Sequence, residues 1–243
     1  MSISSLRSAV AFLTVIPVTS GEGKPGARLG RAYFPAVGAL VGLVAGVAFA
    51  ITAALTTPLL GAVAAVAALA ALTGGLHLDG VADAADGLLG RGDLARRLEM
   101  MRDPRVGSFG ATALGILLLG DVAALEGMTP ARAIVALVIA GALSRLAMLC
   151  VVALVPYVRE AGLGVAAAGA NRVFDLVLGS ALVAIVCLLD WRRALVAVLV
   201  VALVTTLVAA LARRRIGGAT GDVYGAVTEV CQLAALLTFA VRA

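Results

Sequence analysis

At 243 residues, 62% hydrophobic and 14% charged, with a mean hydropathy of +1.10, the chain carries far fewer charges than the ~25% of a water-soluble domain. That excludes an ordinary soluble enzyme, and apolar runs that are continuous rather than alternating exclude a transmembrane barrel, leaving an all-α, polytopic integral membrane bundle. The balance is basic (net +5, pI near 9.7), but 18 arginines and one lysine spread over loops suit positive-inside anchoring, and no nucleic-acid-binding motif accompanies them.

In chain order, residues 9–18 follow Arg7 and resemble a signal-peptide core, yet no small-x-small cleavage site follows and the run is short for a span. They predict a retained helix lying in or dipping into the bilayer. Apolar segments 34–57, 59–76, 106–125, 131–155, 173–189, 194–212 and 223–241 predict about seven transmembrane helices, of which 173–189 is short. Thr56-Thr57-Pro58 predicts a tight hairpin between the first two. Alanine, leucine and interspersed glycine fill these runs, which suits close helix packing in lipid. Cys150, Cys187 and Cys231 lie inside them without CxxC or Cys/His spacing, as small buried hydrophobes. With no internal repeat, residues 1–243 read as one membrane domain whose catalytic loops lie near 77–107 and 213–222.

If the 77–105 loop is cytoplasmic, loops 19–33, 77–105, 156–172 and 213–222 share its side. They hold thirteen Lys and Arg residues, Lys24, Arg28 and Arg159 among them, against Arg132, Arg192, Arg193 and Arg242 opposite. The Asp190-Trp191-Arg192-Arg193 turn runs against that rule, a conflict softened if 173–189 and 194–212 form a shallow hairpin.

The chemistry concentrates in three polar stretches. In the first, His77-Leu-Asp-Gly-Val-Ala-Asp-Ala-Ala-Asp-Gly87, the spacing of Asp79, Asp83 and Asp86 puts three carboxylates on one helix face. A solvated face normally mixes signs; three like charges predict a divalent cation, and oxygen-only ligands suit Mg2+. His77, the single histidine, is a candidate general base or equally a helix-end hydrogen-bonding group. The second stretch, Arg96 to Gly110, carries Arg96, Arg97, Arg102, Asp103 and Arg105 ahead of a Gly107-Ser108-Phe109-Gly110 turn. Forked arginine donors and a helix start suit phosphate, although membrane anchoring accounts for Arg96 and Arg97 as well. Met100-Met101 reads as interface packing. The third, Gly217-Gly-Ala-Thr-Gly-Asp222, delivers Thr220, Gly221 and Asp222 to the last span, where Glu229 follows. Arg145 and Glu229 fall inside spans, where ionisable groups are costly, and are predicted to pair or line a substrate pocket. Asp121 and Asp175 lie nearer span ends, where solvation explains them.

Taken together, His77–Gly87, Arg96–Gly110 and Gly217–Glu229, with Phe12–Val18 and Phe34-Pro35-Ala36-Val37-Gly38, resemble the adenosylcobinamide-GDP ribazoletransferase (cobalamin synthase) family over essentially the whole chain. The resemblance implies a Mg2+-dependent enzyme of the cell (inner) membrane. Its substrates would be adenosylcobinamide-GDP and α-ribazole or its 5'-phosphate, and GMP would leave. Asp79, Asp83 and Asp86 match the family's acidic motif, Asp103 and Gly107 its arginine- and glycine-bearing loop, and Thr220, Gly221, Asp222 and Glu229 its C-terminal segment. The loop departs from the usual Lys-Asp-Ser at Arg102-Asp103-Pro104, and Gln232 stands where an acid often follows Glu229.

The expected mechanism has Mg2+ on Asp79, Asp83 and Asp86, charge offset by Arg102, Arg105 and Arg145, and Asp86 or Asp103 as proton acceptor. A CDP-alcohol phosphotransferase-like lipid enzyme would instead show Asp-Gly-x-x-Ala-Arg and later paired aspartates, which are absent here. A small transporter is the other alternative. The number of chains, a homo-oligomer included, is left open.

Overall fold

The computed structural model describes residues 3–18, 30–159 and 172–241, so Lys24 and Arg28 lie outside the described residues. Among these the chain is helical throughout its ordered elements. Helix α1 covers Ile3–Leu13, a 3-10 turn covers Arg31–Tyr33, and α2 covers Phe34–Leu55. Next come α3 (Pro58–Thr73), α4 (Leu76–Leu89), α5 (Leu94–Met100), α6 (Ser108–Glu126) and α7 (Pro130–Leu154). After the undescribed segment follow α8 (Arg172–Cys187), α9 (Trp191–Ile216) and α10 (Gly221–Ala240). Five helical stretches are long and apolar enough to cross a bilayer, six if α3 and α4 count as one.

The N-terminal helix begins and ends earlier than expected, stopping at Leu13. Thr14, Val15 and Ile16 are β-branched and precede Pro17, which disfavours helix before it. Val15 instead donates its N–H to the Leu72 carbonyl at 2.9 Å, and Phe12 stacks on Phe34, so this segment is fastened to the bundle.

Helices α2 and α7 form the spine. A Cβ placed on Gly38 would collide with the Gly141 carbonyl, and one on Gly42 with that of Leu137, so only glycine permits this approach. α7 is buried nearly all round, from Ala133 to Ala153. By contrast α9 exposes Leu195, Leu199, Leu203 and Leu207, a stripe four residues apart that suits lipid contact.

Residues 172–216 are one helical stretch of 45 residues, interrupted only by a 3-10 turn at Leu188–Asp190. A straight helix would put Gly179 and Arg213 ~50 Å apart. Yet Gly179 packs on Leu149, while Arg213 donates to the Leu154 carbonyl one and a half turns further along α7. The chain therefore folds back at Asp190 (φ −152°, ψ 76°), and 173–189 and 194–212 are the two arms of a hairpin. Arg193 is held there by Asp190 at 3.0 Å.

Two acids expected to be solvated are not. Asp175 pairs with Arg31 at 2.7 Å, and Asp121 is 2% exposed, beside a small cavity shared with Glu229 and Gln232. Asp175 does lie in the first turn of α8, but Arg31 of the 3-10 turn neutralises it there, whereas Asp121 is buried within α6.

Candidate functional site

The stretch expected as a loop after the second span is folded as α4 and α5. Gly74 and Gly75 both adopt left-handed backbone (φ 62° and 70°), which two successive residues with side chains would resist. This double turn swings α4 through 91° relative to α3. Asp79, Asp83 and Asp86 then share a helix flank, as their spacing predicts, with Asp79 exposed and the other two half-buried.

Helix α4 crosses α10 where both lack side chains. A Cβ on Gly80 would stand 2.9 Å from the Asp222 carbonyl, and one on Gly225 3.1 Å from that of His77. The contact carries Asp222 to the acidic flank, so Asp83 feels the negative charge of Asp222 and Asp79, and that of Asp86 more weakly. Among the described residues the cation that answers them is Arg159, whose guanidinium lies 2.7 Å from Asp222 and 3.2 Å from the Met101 carbonyl. Arg159 is placed by a parallel bridge between Tyr157 and Ala219, with Val158 donating to Ala219 and Ala219 to Pro156. Thr220 caps α10, accepting from the Val223 N–H at 3.3 Å and donating to Asp222 at 3.2 Å. Among the described residues no group of three or more carboxylate, imidazole or thiol ligands could hold a metal as a protein-only cage. A Mg2+ site completed by substrate phosphates needs only one or two carboxylates, and the donor set here is of that kind.

Asp86 is differently engaged. Its oxygens accept the N–H groups of Gly107 (2.7 Å) and Gly110 (2.9 Å), so it joins α4 to the first turn of α6. The helix start expected to receive a phosphate through Gly107 thus already holds a carboxylate of its own chain. Asp103 and Arg105 pair with each other through two bonds (2.9 and 2.8 Å) at the surface. The Arg105 guanidinium holds the Asp103 carboxyl down at about 2, which makes it a poor proton acceptor. Arg96 pairs with Glu99 at 2.7 Å in solvent, and Arg102 is exposed. Arg97 turns inward, donating to the Gly87 and Leu88 carbonyls at the end of α4.

Arg145 and Glu229, expected to pair or to line a substrate pocket, do neither at the acidic flank: inside the bundle, among the described residues, they are linked through His77. Arg145 donates to Gln232 (2.8 Å) and Ser144 (3.0 Å), and His77 Nδ1 lies 3.5 Å from both Arg145 and Glu229. Gln232 supplies a neutral oxygen to the buried arginine. The ring of His77 thus belongs to the interior network and borders the site from beneath.

Between this network and the acidic flank lies a cavity of about 170 Å3. Asp79, Asp222, Arg159 and His77 line it together with Phe12, Met148, Val152, Tyr157 and Tyr224. The sequence reading missed Arg159, counted only as a loop charge, and the two tyrosines. In a chain with 4% aromatic residues, a Tyr and an Arg two positions apart beside a span end was the available signal.

A family model described as cobalamin-5-phosphate synthase matches residues 5–240. The chain is similar to the adenosylcobinamide-GDP ribazoletransferase of Stutzerimonas stutzeri, 41% identical over 241 residues and 98% of each chain. It is also similar to proteins of that name from Azorhizobium caulinodans (38%, covering 97% of this chain and 94% of the relative) and Desulforamulus reducens (36%, 94% and 93%). No solved structure matches it.

Proposed function

Because this chain belongs to the cobalamin-5-phosphate synthase family, we propose that it moves the adenosylcobinamide-phosphoryl group of adenosylcobinamide-GDP onto α-ribazole or its 5'-phosphate and releases GMP. It is a multi-pass membrane transferase, and the family match does not favour the lipid-enzyme or transporter alternatives. One observation supports the chemistry above the others: the α4–α10 crossing gathers Asp79, Asp83 and Asp222 around Arg159 at the mouth of an aromatic-walled cavity.

In the reaction a 5' oxygen of the ribazole bonds to the phosphorus nearer the cobinamide. The bond from that phosphorus to the bridging oxygen breaks, and GMP leaves with its electrons. When the nucleophile is a hydroxyl its proton passes to Asp83, the carboxylate with the most like charge around it. Arg159 offsets charge on the diphosphate, and Asp86 acts by fixing α4 against α6. Bound Mg2+, held by Asp79 with Asp222 beside it, would supply charge neutralisation for the diphosphate. The concentration of arginines on α5 and the end of α9 supports a cytoplasmic site in the inner membrane.

The test is GMP release by the purified protein in detergent. EDTA should abolish it and added Mg2+ restore it, and Asp83→Asn should lower turnover at least about a hundredfold with the fold intact. Unchanged turnover in a folded Asp83→Asn protein overturns the assignment.

A further inference from the structure

Four buried side-chain polar atoms among the described residues lack a hydrogen-bond partner: His77 Nε2, Arg159 Nε, Tyr224 Oη and Asp121 Oδ1. Three of the four belong to residues that line the cavity described above at the acidic flank. Buried polar groups are nearly always satisfied, so three orphans around one space mark a place whose partners come from a bound molecule. Tyr224 is 4% exposed and His77 2%, so bulk water does not serve them.

The walls define the molecule's chemistry. Phe12, Tyr157 and Tyr224 are aromatic, and the Tyr157 and Tyr224 rings lie 5.9 Å apart, tilted by 31°. Met148 and Val152 add soft apolar surface. A space of about 170 Å3 takes a two-ring aromatic system and is far too small for a corrin macrocycle. Resting on the reaction proposed above, two nucleosides compete for it. Guanine carries donors and acceptors along most of its edge. Of the lining carboxylates that could take its donors, Asp222 is already engaged by Arg159 and Thr220, and Asp79 is exposed on the flank where the proposed ion sits, so part of that edge would stay unpaired at high cost. A benzimidazole-type base, apolar except at its ring nitrogens, leaves nothing unpaired.

We propose that this cavity seats the base of the acceptor nucleoside. The base lies among Phe12, Tyr157, Tyr224 and Met148. The orphan atoms of His77, Arg159 and Tyr224 bind its ring nitrogen and ribose hydroxyls. Asp79 and Asp222 belong both to the cavity and to the acidic flank, so a ribose anchored here extends its 5' oxygen toward the reacting diphosphate. Tyr224 is then a specificity-determining residue, and the cavity selects the acceptor rather than the donor.

The experiment uses the full chain in detergent with two variants: Tyr224→Phe, which removes only the orphan hydroxyl, and Val152→Phe, which fills the cavity. Calorimetry measures binding of α-ribazole alone and of GMP alone, and steady-state rates give a KM for each substrate. Tyr224→Phe should weaken α-ribazole binding and raise its KM about tenfold, the worth of one net hydrogen bond, while GMP binding and the donor KM stay within about twofold. Val152→Phe should abolish α-ribazole binding; should it fail to fold, Tyr224→Phe decides alone. A rise confined to the donor KM, with loss of GMP binding, gives the cavity to guanosine and overturns the proposal. No change in either shows a water-filled space and overturns it equally. If wild-type protein releases no GMP yet binds α-ribazole, and Tyr224→Phe weakens that binding, the reaction is wrong and the cavity assignment stands.

Discussion

On the proposed mechanism Asp83 does chemistry, whereas Asp86 holds the site together. Replacing it with asparagine keeps the shape of the side chain but leaves one oxygen to meet two N–H groups, those of Gly107 and Gly110 at 2.7 and 2.9 Å. The second N–H then faces an amide NH2 and loses its acceptor. A hydrogen bond to an ionised group contributes ~1.5–3 kcal/mol, and the negative charge at the start of α6 adds ~0.3–1 kcal/mol. Asp86 is only half-buried, so water recovers part of this, and the net loss should be about 2 kcal/mol. For a chain of this length that corresponds to a fall of about 4–8 °C in Tm, read by thermal unfolding in detergent. Asp83→Asn should leave Tm within about 2 °C while removing turnover, because no hydrogen bond among the described residues ties Asp83 to the fold. An Asp86→Asn protein with unchanged Tm and lost GMP release would refute this division of labour and return Asp86 to the metal.

Two other outcomes follow from the geometry. Arg145→Ala takes the donor from the buried Gln232 oxygen and removes the cation nearest the buried Glu229, and should cost ~1–3 kcal/mol, seen as a lowered Tm; Glu229→Gln in the same chain should recover part of the loss. Asp103→Asn should leave Tm nearly unchanged, since its pair with Arg105 lies at the surface, where solvent screens it. The Asp103 carboxyl should titrate near pH 2 by NMR. Its pKa is lowered from 3.8, so the pairing is complete above pH 4 and is lost as pH falls toward 2.

Much of the fold was written in the apolar runs, because lipid forces every spanning segment to be long, helical and continuous. Helices α2, α3, α6, α7 and α10 begin and end within a few residues of their apolar segments. The acidic flank was legible too, since three like charges at helical spacing need no tertiary information. What could not be read was pairing across distance. Asp86 finds its partners 21 and 24 residues away, and nothing in its own neighbourhood distinguishes it from Asp83. Arg97 and Arg102 are equivalent as charges, yet one caps α4 from inside and the other faces solvent. Arg159 enters only through the strand-like bridge of Tyr157 with Ala219, a contact between segments that carry no periodic signal.

The right-angled elbow at Gly74 and Gly75 decides how a diphosphate is greeted. Many phosphate-binding proteins aim a helix tip at the anion, so bare amides welcome it unaided. On the proposed reaction the anion would meet a helix broadside, across a row of carboxylates that push it away. On the proposed reaction, donor capture is therefore conditional: without a divalent ion between the two negative surfaces the nucleotide is repelled, and the enzyme is silent by electrostatics alone.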